Sequence, residues 1–210
     1  MAEAAILIIG DEILSGRTQD TNTATIAQFL GARGIPVRAV RVCPDVEGEI
    51  IADLNALRSR FDYVFTTGGI GPTHDDITAD AVAKAFGVSI GHDPRAVALL
   101  KERFTDGELN EARMRMARIP DGAELVVNPV SKAPGFQMEN VFVMAGVPSI
   151  MRGMLQDVGH RLKGGAVVRS VTVRARGVPE GAIADGKHLP LMDGIIRWTG
   201  LTLEDNEETV

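Results

Sequence analysis

The chain has 210 residues, 45% of them hydrophobic, enough for one domain, or one domain with an appendage, around a sizeable core. A net charge of −6 and an isoelectric point near 5.3 make DNA or RNA a poor first expectation, since attraction to a phosphate backbone would need a local basic patch. The single cysteine, Cys43, excludes a disulfide framework or a cysteine-based zinc site.

Residues 4–9 form a continuous apolar run that suits a strand buried on both faces. The run stops at Gly10, Asp11 and Glu12, and Glu3 stands where a signal peptide needs positive charge. No segment approaches the roughly 20 apolar residues of a transmembrane helix. A cytoplasmic protein with no membrane partner is expected. After a polar loop, 22–33 places Ile26, Phe29 and Leu30 on one helical face and ends at Gly34. A second strand is predicted at 37–43, a helix at 46–59 and a third strand at 61–67, which runs directly into a glycine-rich turn.

Helices follow at 77–86, closed by Gly87, and at 94–104, where Asp93-Pro94 supplies an N-cap and a proline at the first helical position. A further helix is read at about 108–117. Strands at 124–127 and 141–145 flank a loop rich in Pro and Gly, with a short hairpin strand at 136–138. Pro148 opens a helix with Met151, Met154, Leu155, Val158 and Leu162 at the helical period. From 167 to 176 the pattern changes to strict alternation, as in a half-exposed strand outside the main sheet. The acidic end, 204–210, reads as a disordered tail. The predicted organisation is therefore a domain over 1–163 and a small appendage over 164–210. Alternating strands and helices predict an α/β fold of parallel βαβ units with a short hairpin near 136–145.

Ligands of such sheets bind beyond the carboxyl ends of the strands. Three loops leave those ends: Gly10-Asp11-Glu12, the turn from Gly68 through Gly69, Gly71, Pro72, Thr73 and His74 to Asp75 and Asp76, and Ala145-Gly146-Val147-Pro148. Glycines let backbone approach a ligand, and a following helix N-terminus favours an anion, so a phosphate is the natural occupant. The turn lacks the Lys-Ser/Thr ending of a P-loop, and His74 stands where a dinucleotide fingerprint needs its third glycine. Bare carboxylates beside phosphate repel it. A divalent ion, Mg²⁺ by preference for hard oxygen ligands, would bridge Asp75, Asp76 and Asp11 to phosphate oxygens. Asp76 equally suits a helix cap before Ile77, and Asp20 a cap or turn before Asn22. Lys132 either meets a ligand anion or is a plain loop lysine. Arg113, Arg115 and Arg118 read first as a solvated face.

In order along 5–160, the segments Gly10-Asp11-Glu12-Ile13-Leu14-Ser15-Gly16, Asp20-Thr21-Asn22, Thr66-Thr67-Gly68-Gly69-Ile70-Gly71-Pro72-Thr73, Asp75-Asp76-Ile77-Thr78, Asn128-Pro129, Ala133-Pro134-Gly135-Phe136 and Gly146-Val147-Pro148 resemble one family. It is the molybdopterin-binding (MoaB/MogA-like) domain, in the version found at the N-terminus of CinA, the competence/damage-inducible proteins. The resemblance implies a three-layer α/β/α fold around a mostly parallel sheet and a ligand phosphate on the 68–73 turn, with molybdopterin or a nucleotide as ligand and Gly10, Asp11, Glu12, Asn22, Lys132, Pro134, Gly135, Gly146 and Pro148 around it. Asp76 and Asp75 are the implied catalytic residues. MogA-like relatives carry out nucleotidyl or metal-insertion chemistry on molybdopterin, and CinA-type domains metal-dependent hydrolysis of ADP-ribose. A non-catalytic oligomeric interaction module is the third reading, and a dimer or trimer is implied. Ile150 stands where the family usually has a glutamate, and the chain is too short for the deamidase domain of long CinA proteins.

Overall fold

The computed structural model describes residues 2–105 and 107–167. The strand expected at 167–176, past its first residue, and the acidic tail lie outside the described residues. The strand β1 (Ala4–Ile9) is buried along its whole length. Ala5, Leu7 and Ile9 serve one core and Ala4, Ile6 and Ile8 the other, so no position could be polar. It lies between β2 (Val37–Cys43) and β3 (Tyr63–Thr67), parallel to both, and β8 (Val141–Met144) extends the parallel set beyond β3. β7 (Gly135–Met138) forms the expected hairpin with β8, and β6 (Glu124–Val126) pairs antiparallel with β7. The sheet order is β2-β1-β3-β8-β7-β6.

Helices cover both faces. On one, α2 (Asn22–Gly31) and α7 (Pro148–Val158) bury Ile26, Leu30, Met151, Met154, Leu155 and Val158 against Phe65 and Phe142, whose rings stack with centroids 5.0 Å apart. On the other, α3 (Glu47–Arg58), α4 (Thr78–Phe86) and α5 (Pro94–Arg103) contribute Ile50, Leu54, Leu57, Ala81, Val82, Ala96 and Leu100. Each large side chain fully removed from water contributes roughly 1.5–3 kcal/mol. The fold is the expected three-layer α/β architecture.

Three local features depart from the sequence reading. The loop after β1 opens with a single helical turn, α1 (Asp11–Leu14). The helix expected at 108–117 is shorter, because Asn110 caps α6 (Glu111–Met114) by accepting from the Arg113 N–H, and a 3₁₀ turn then leads into β5 (Arg118–Pro120). β5 pairs antiparallel with β4 (Ile90–His92) in a separate two-stranded sheet. Strands of three residues carry too few side chains for a period to be read.

Asp93 behaves as its sequence implies. Its carboxylate accepts from the Arg95 N–H at 2.7 Å and pairs with the Arg95 guanidinium at 2.7 Å, with Pro94 at the first helical position. The guanidinium, above all, holds the Asp93 carboxyl below the ordinary carboxylate range. The folded value therefore lies below the unfolded one, so the stabilisation is complete above about pH 4 and is lost as pH falls through the folded value. Asp93→Ala should cost ~1 kcal/mol in urea unfolding at pH 7, a difference that shrinks as the pH is lowered towards 2.

Candidate functional site

The loops that follow β1, β3 and β8 leave neighbouring strands at the same edge of the sheet, and their backbones converge on Gly68. Gly68 has φ +106°, its N–H donates to the Met144 carbonyl at 3.2 Å, and a Cβ placed on it would stand 2.0 Å from the Ile9 carbonyl oxygen. A Cβ on Gly146 would stand 3.3 Å from the Gly68 Cα. Gly69, at φ +67°, leaves room for the Thr78 side chain. Thr78 then sews the turn to the start of α4. Its buried hydroxyl donates to the Gly68 carbonyl at 3.0 Å and its N–H to the Gly69 carbonyl at 2.9 Å.

Above this junction lies a cavity of about 560 Å³. Gly68, Gly69, Gly71, Pro72 and Asp76 from the second loop, Glu12 from the first, and Gly146 and Pro148 from the third all line it. The cavity is lined also by Asn128 and Ile150, and by residues that the sequence reading missed: Arg103 and Phe104 at the end of α5, with Met116 and Ser131. The buried Asn128 gave a signal through its place in the Asn128-Pro129 segment. Its side chain accepts from the N–H groups of Val130 and Ser131 at 3.0 and 3.1 Å and donates to the Ala133 carbonyl at 2.8 Å, which fixes the shape of that loop.

The remaining named residues sit elsewhere. A Cβ on Gly10 would lie 2.6 Å from a Glu12 carboxylate oxygen, so Gly10 makes the space in which that carboxylate rests. Asn22 lies beside the cavity and donates to the Gly146 carbonyl at 2.7 Å, while Asp20, one residue before the cap position, accepts from the Asn22 and Thr23 N–H groups. Lys132 does not line the cavity and pairs with Glu102 at 2.8 Å. Pro134 borders a smaller cavity of about 20 Å³, and Gly135 begins β7, where a Cβ would lie 2.3 Å from the Val143 carbonyl oxygen. Arg118 pairs with Asp80, and Arg115 donates to the Asp76 carbonyl at 3.2 Å.

Asp76 does not cap α4. Ile77 occupies the cap position without a side-chain bond, and the Asp76 carboxylate turns back to accept from the Thr73 N–H at 2.8 Å and from the Thr73 hydroxyl. Asp75 is exposed. The Asp11 N–H donates to the Asp45 carboxylate at 3.0 Å. Partial burial pushes the Asp45 carboxyl above its ordinary value, and the charges of Asp11, Glu12 and Asp75 push the same way. These four carboxylates thus share one negative field beside the glycine turn. Among the described residues no three Asp, Glu, His or Cys side chains converge as an all-protein metal cage. In these residues too, no helix is long and apolar enough to cross a membrane.

A family model described as a probable molybdopterin binding domain matches residues 5–164, which hold all but the first residue of the six-stranded sheet and all three loops. The chain belongs to this family. Within it the chain is of the CinA type. It is 40% identical over 202 residues to a CinA-like protein of Citrifermentans bemidjiense, covering 91% of this chain and 47% of that one. A protein of Caldivirga maquilingensis is 34% identical over 201 residues, covering 92% and 76%. The chain spans about half the length of its CinA-like relatives. The crystal structure of the protein CinA, of unknown function, from Thermoplasma acidophilum matches with a TM-score of 0.73 at 34% identity, over 76% of this chain and 97% of that one. The tungsten cofactor synthesizing protein MoaB of Pyrococcus furiosus shares the fold, with a TM-score of 0.51 at 16% identity over 77% and 92%.

Proposed function

We propose that this domain binds a phosphate-bearing pterin or nucleotide in the 560 Å³ cavity, with the phosphate against the Gly68–Gly71 backbone. The observation that carries this reading is the convergence of three strand-end loops on a glycine-rich floor that feeds into α4. The description of the matching family model, a probable molybdopterin binding domain, points the same way. A divalent ion fits the donor set in one form only. Mg²⁺ keeps several waters and needs one or two protein carboxylates when ligand phosphates supply the rest, so Asp76 or Glu12 would suffice. The ion would lower the cost of bringing phosphate into the negative field of Asp11, Glu12, Asp45 and Asp75.

Binding, rather than diphosphate hydrolysis, is favoured by Ile150. It lines the cavity and presents hydrocarbon where family members usually have a glutamate. A thermal-shift and calorimetric screen of AMP, ADP-ribose and molybdopterin, each with and without Mg²⁺, tests the reading. A ligand at 100 times its Kd should stabilise the fold by ~2.7 kcal/mol, with greater affinity when Mg²⁺ is present. Absence of binding by all three under both conditions sinks it. Chromatography of ADP-ribose incubated with the protein should show no AMP or ribose 5-phosphate above background. Release of both, abolished by Asp76→Asn, would shift the conclusion to hydrolysis.

A further inference from the structure

The glycine turn has a second side. Gly69, Ile70, Gly71, Asp76 and Met116 line the main cavity and also the smaller cavity of about 20 Å³, so the same stretch of chain divides the two. Two arginines, Arg115 and Arg118, stand at the smaller cavity. Arg118 is matched in charge by Asp80. Arg115 forms no ion pair among the described residues: its guanidinium donates to the neutral Asp76 carbonyl at 3.2 Å, and its Nε–H is buried without a partner. A cation drawn out of water and given one neutral acceptor costs free energy that a nearby anion would offset. The sequence pattern suggested a solvated face for Arg115, whereas the fold sets it against the back of the turn.

We infer that Arg115 is a positioning residue for the ligand's phosphate, fixing the Asp76 end of the turn through that carbonyl and supplying from behind it the positive charge by which the site selects a phosphorylated ligand over its uncharged parent. The inference rests on the binding reading above and adds the group that reads the ligand's charge. On the cavity side, Asp11, Glu12, Asp45 and Asp75 share a negative field that opposes a phosphate. Arg103 also lines the main cavity, but it is exposed and water screens its charge. Arg115 acts through protein, where charges are screened far less than in water, and a guanidinium keeps its proton at any working pH. The Asp76 carbonyl belongs to the peptide that joins the turn to Ile77, the cap of α4, so the same bond holds the wall in place.

Calorimetry with AMP and with adenosine, both in Mg²⁺, tests this on the full chain and on Arg115→Lys and Arg115→Gln. Both substitutions keep an N–H donor for the Asp76 carbonyl and differ in charge. AMP should bind the unsubstituted chain at least about tenfold more tightly than adenosine, and Arg115→Lys should keep that preference to within about threefold. Arg115→Gln should lose about tenfold in AMP affinity with adenosine unmoved, the order expected of one full charge acting through protein. Equal AMP affinity in the two variants would overturn the inference and leave phosphate binding standing, because the charge would then be idle. Should Arg115→Gln not fold, a tenfold loss of AMP affinity in folded Arg115→Lys overturns it as well, since the charge is still present. Equal binding of AMP and adenosine by the unsubstituted chain would remove the assignment together with phosphate binding at the turn.

Discussion

Gly68→Ala should lower the stability of the fold by ~3–5 kcal/mol, the sum of a residue forced into positive φ and a steric conflict with backbone that has nowhere to go. Gly68 has φ +106°, and its new Cβ would stand 2.0 Å from the Ile9 carbonyl oxygen, at the end of a strand buried on both faces. Neither partner can yield cheaply. Ile9 is locked in the parallel ladder to β2, and Gly68 itself donates to Met144 at the end of β8. Gly87→Ala is the control. Gly87 also has positive φ, +68°, as the left-handed residue that ends α4, but a methyl placed on it would meet no atom within 4 Å, so only the conformational cost of ~1–2 kcal/mol remains. Urea unfolding at pH 7 measures both. Equal losses would show that the three loops do not press together at Gly68.

That contrast also marks what the sequence could reveal. The continuous run 4–9, the Asp93-Pro94 cap and the helical period from Met151 to Val158 were legible because each is a local pattern with one physical solution. The glycine turn was legible as a turn. Its partners were not: nothing near Gly68 in sequence says that Ile9 and Gly146 approach it, because that follows from β1, β3 and β8 being neighbours in the sheet. For the same reason Arg103, Phe104 and Met116 escaped notice as cavity lining, since their elements are brought over the sheet edge by packing alone. The role of Asp76 changed through local chemistry. A carboxylate just before a helix suggests a cap, but Thr73 offers both an N–H and a hydroxyl three residues earlier and claims it. Lys132 was drawn away in turn by Glu102, 30 residues distant in the chain.

Gly71→Ala should separate folding from binding within the same turn. Gly71 does not have positive φ, so alanine adopts its backbone without strain, and the atoms nearest a new Cβ are the Asp76 carboxylate oxygens at 2.7 and 3.0 Å. These are the end of a side chain and can turn away, at the expense of the Thr73 bonds, so the stability loss should stay near ~1 kcal/mol. Binding should suffer far more. The methyl would rise from the cavity floor where the proposed phosphate sits, and the displaced carboxylate would no longer be placed to meet a phosphate-bound Mg²⁺. Loss of one charge-assisted hydrogen bond, ~1.5–3 kcal/mol, corresponds to a roughly ten- to hundredfold weaker Kd. Calorimetry with AMP and Mg²⁺, beside urea unfolding of the same preparation, gives both numbers. An unchanged Kd in a folded Gly71→Ala would mean that the glycines serve the packing of three loops and that phosphate does not rest on them.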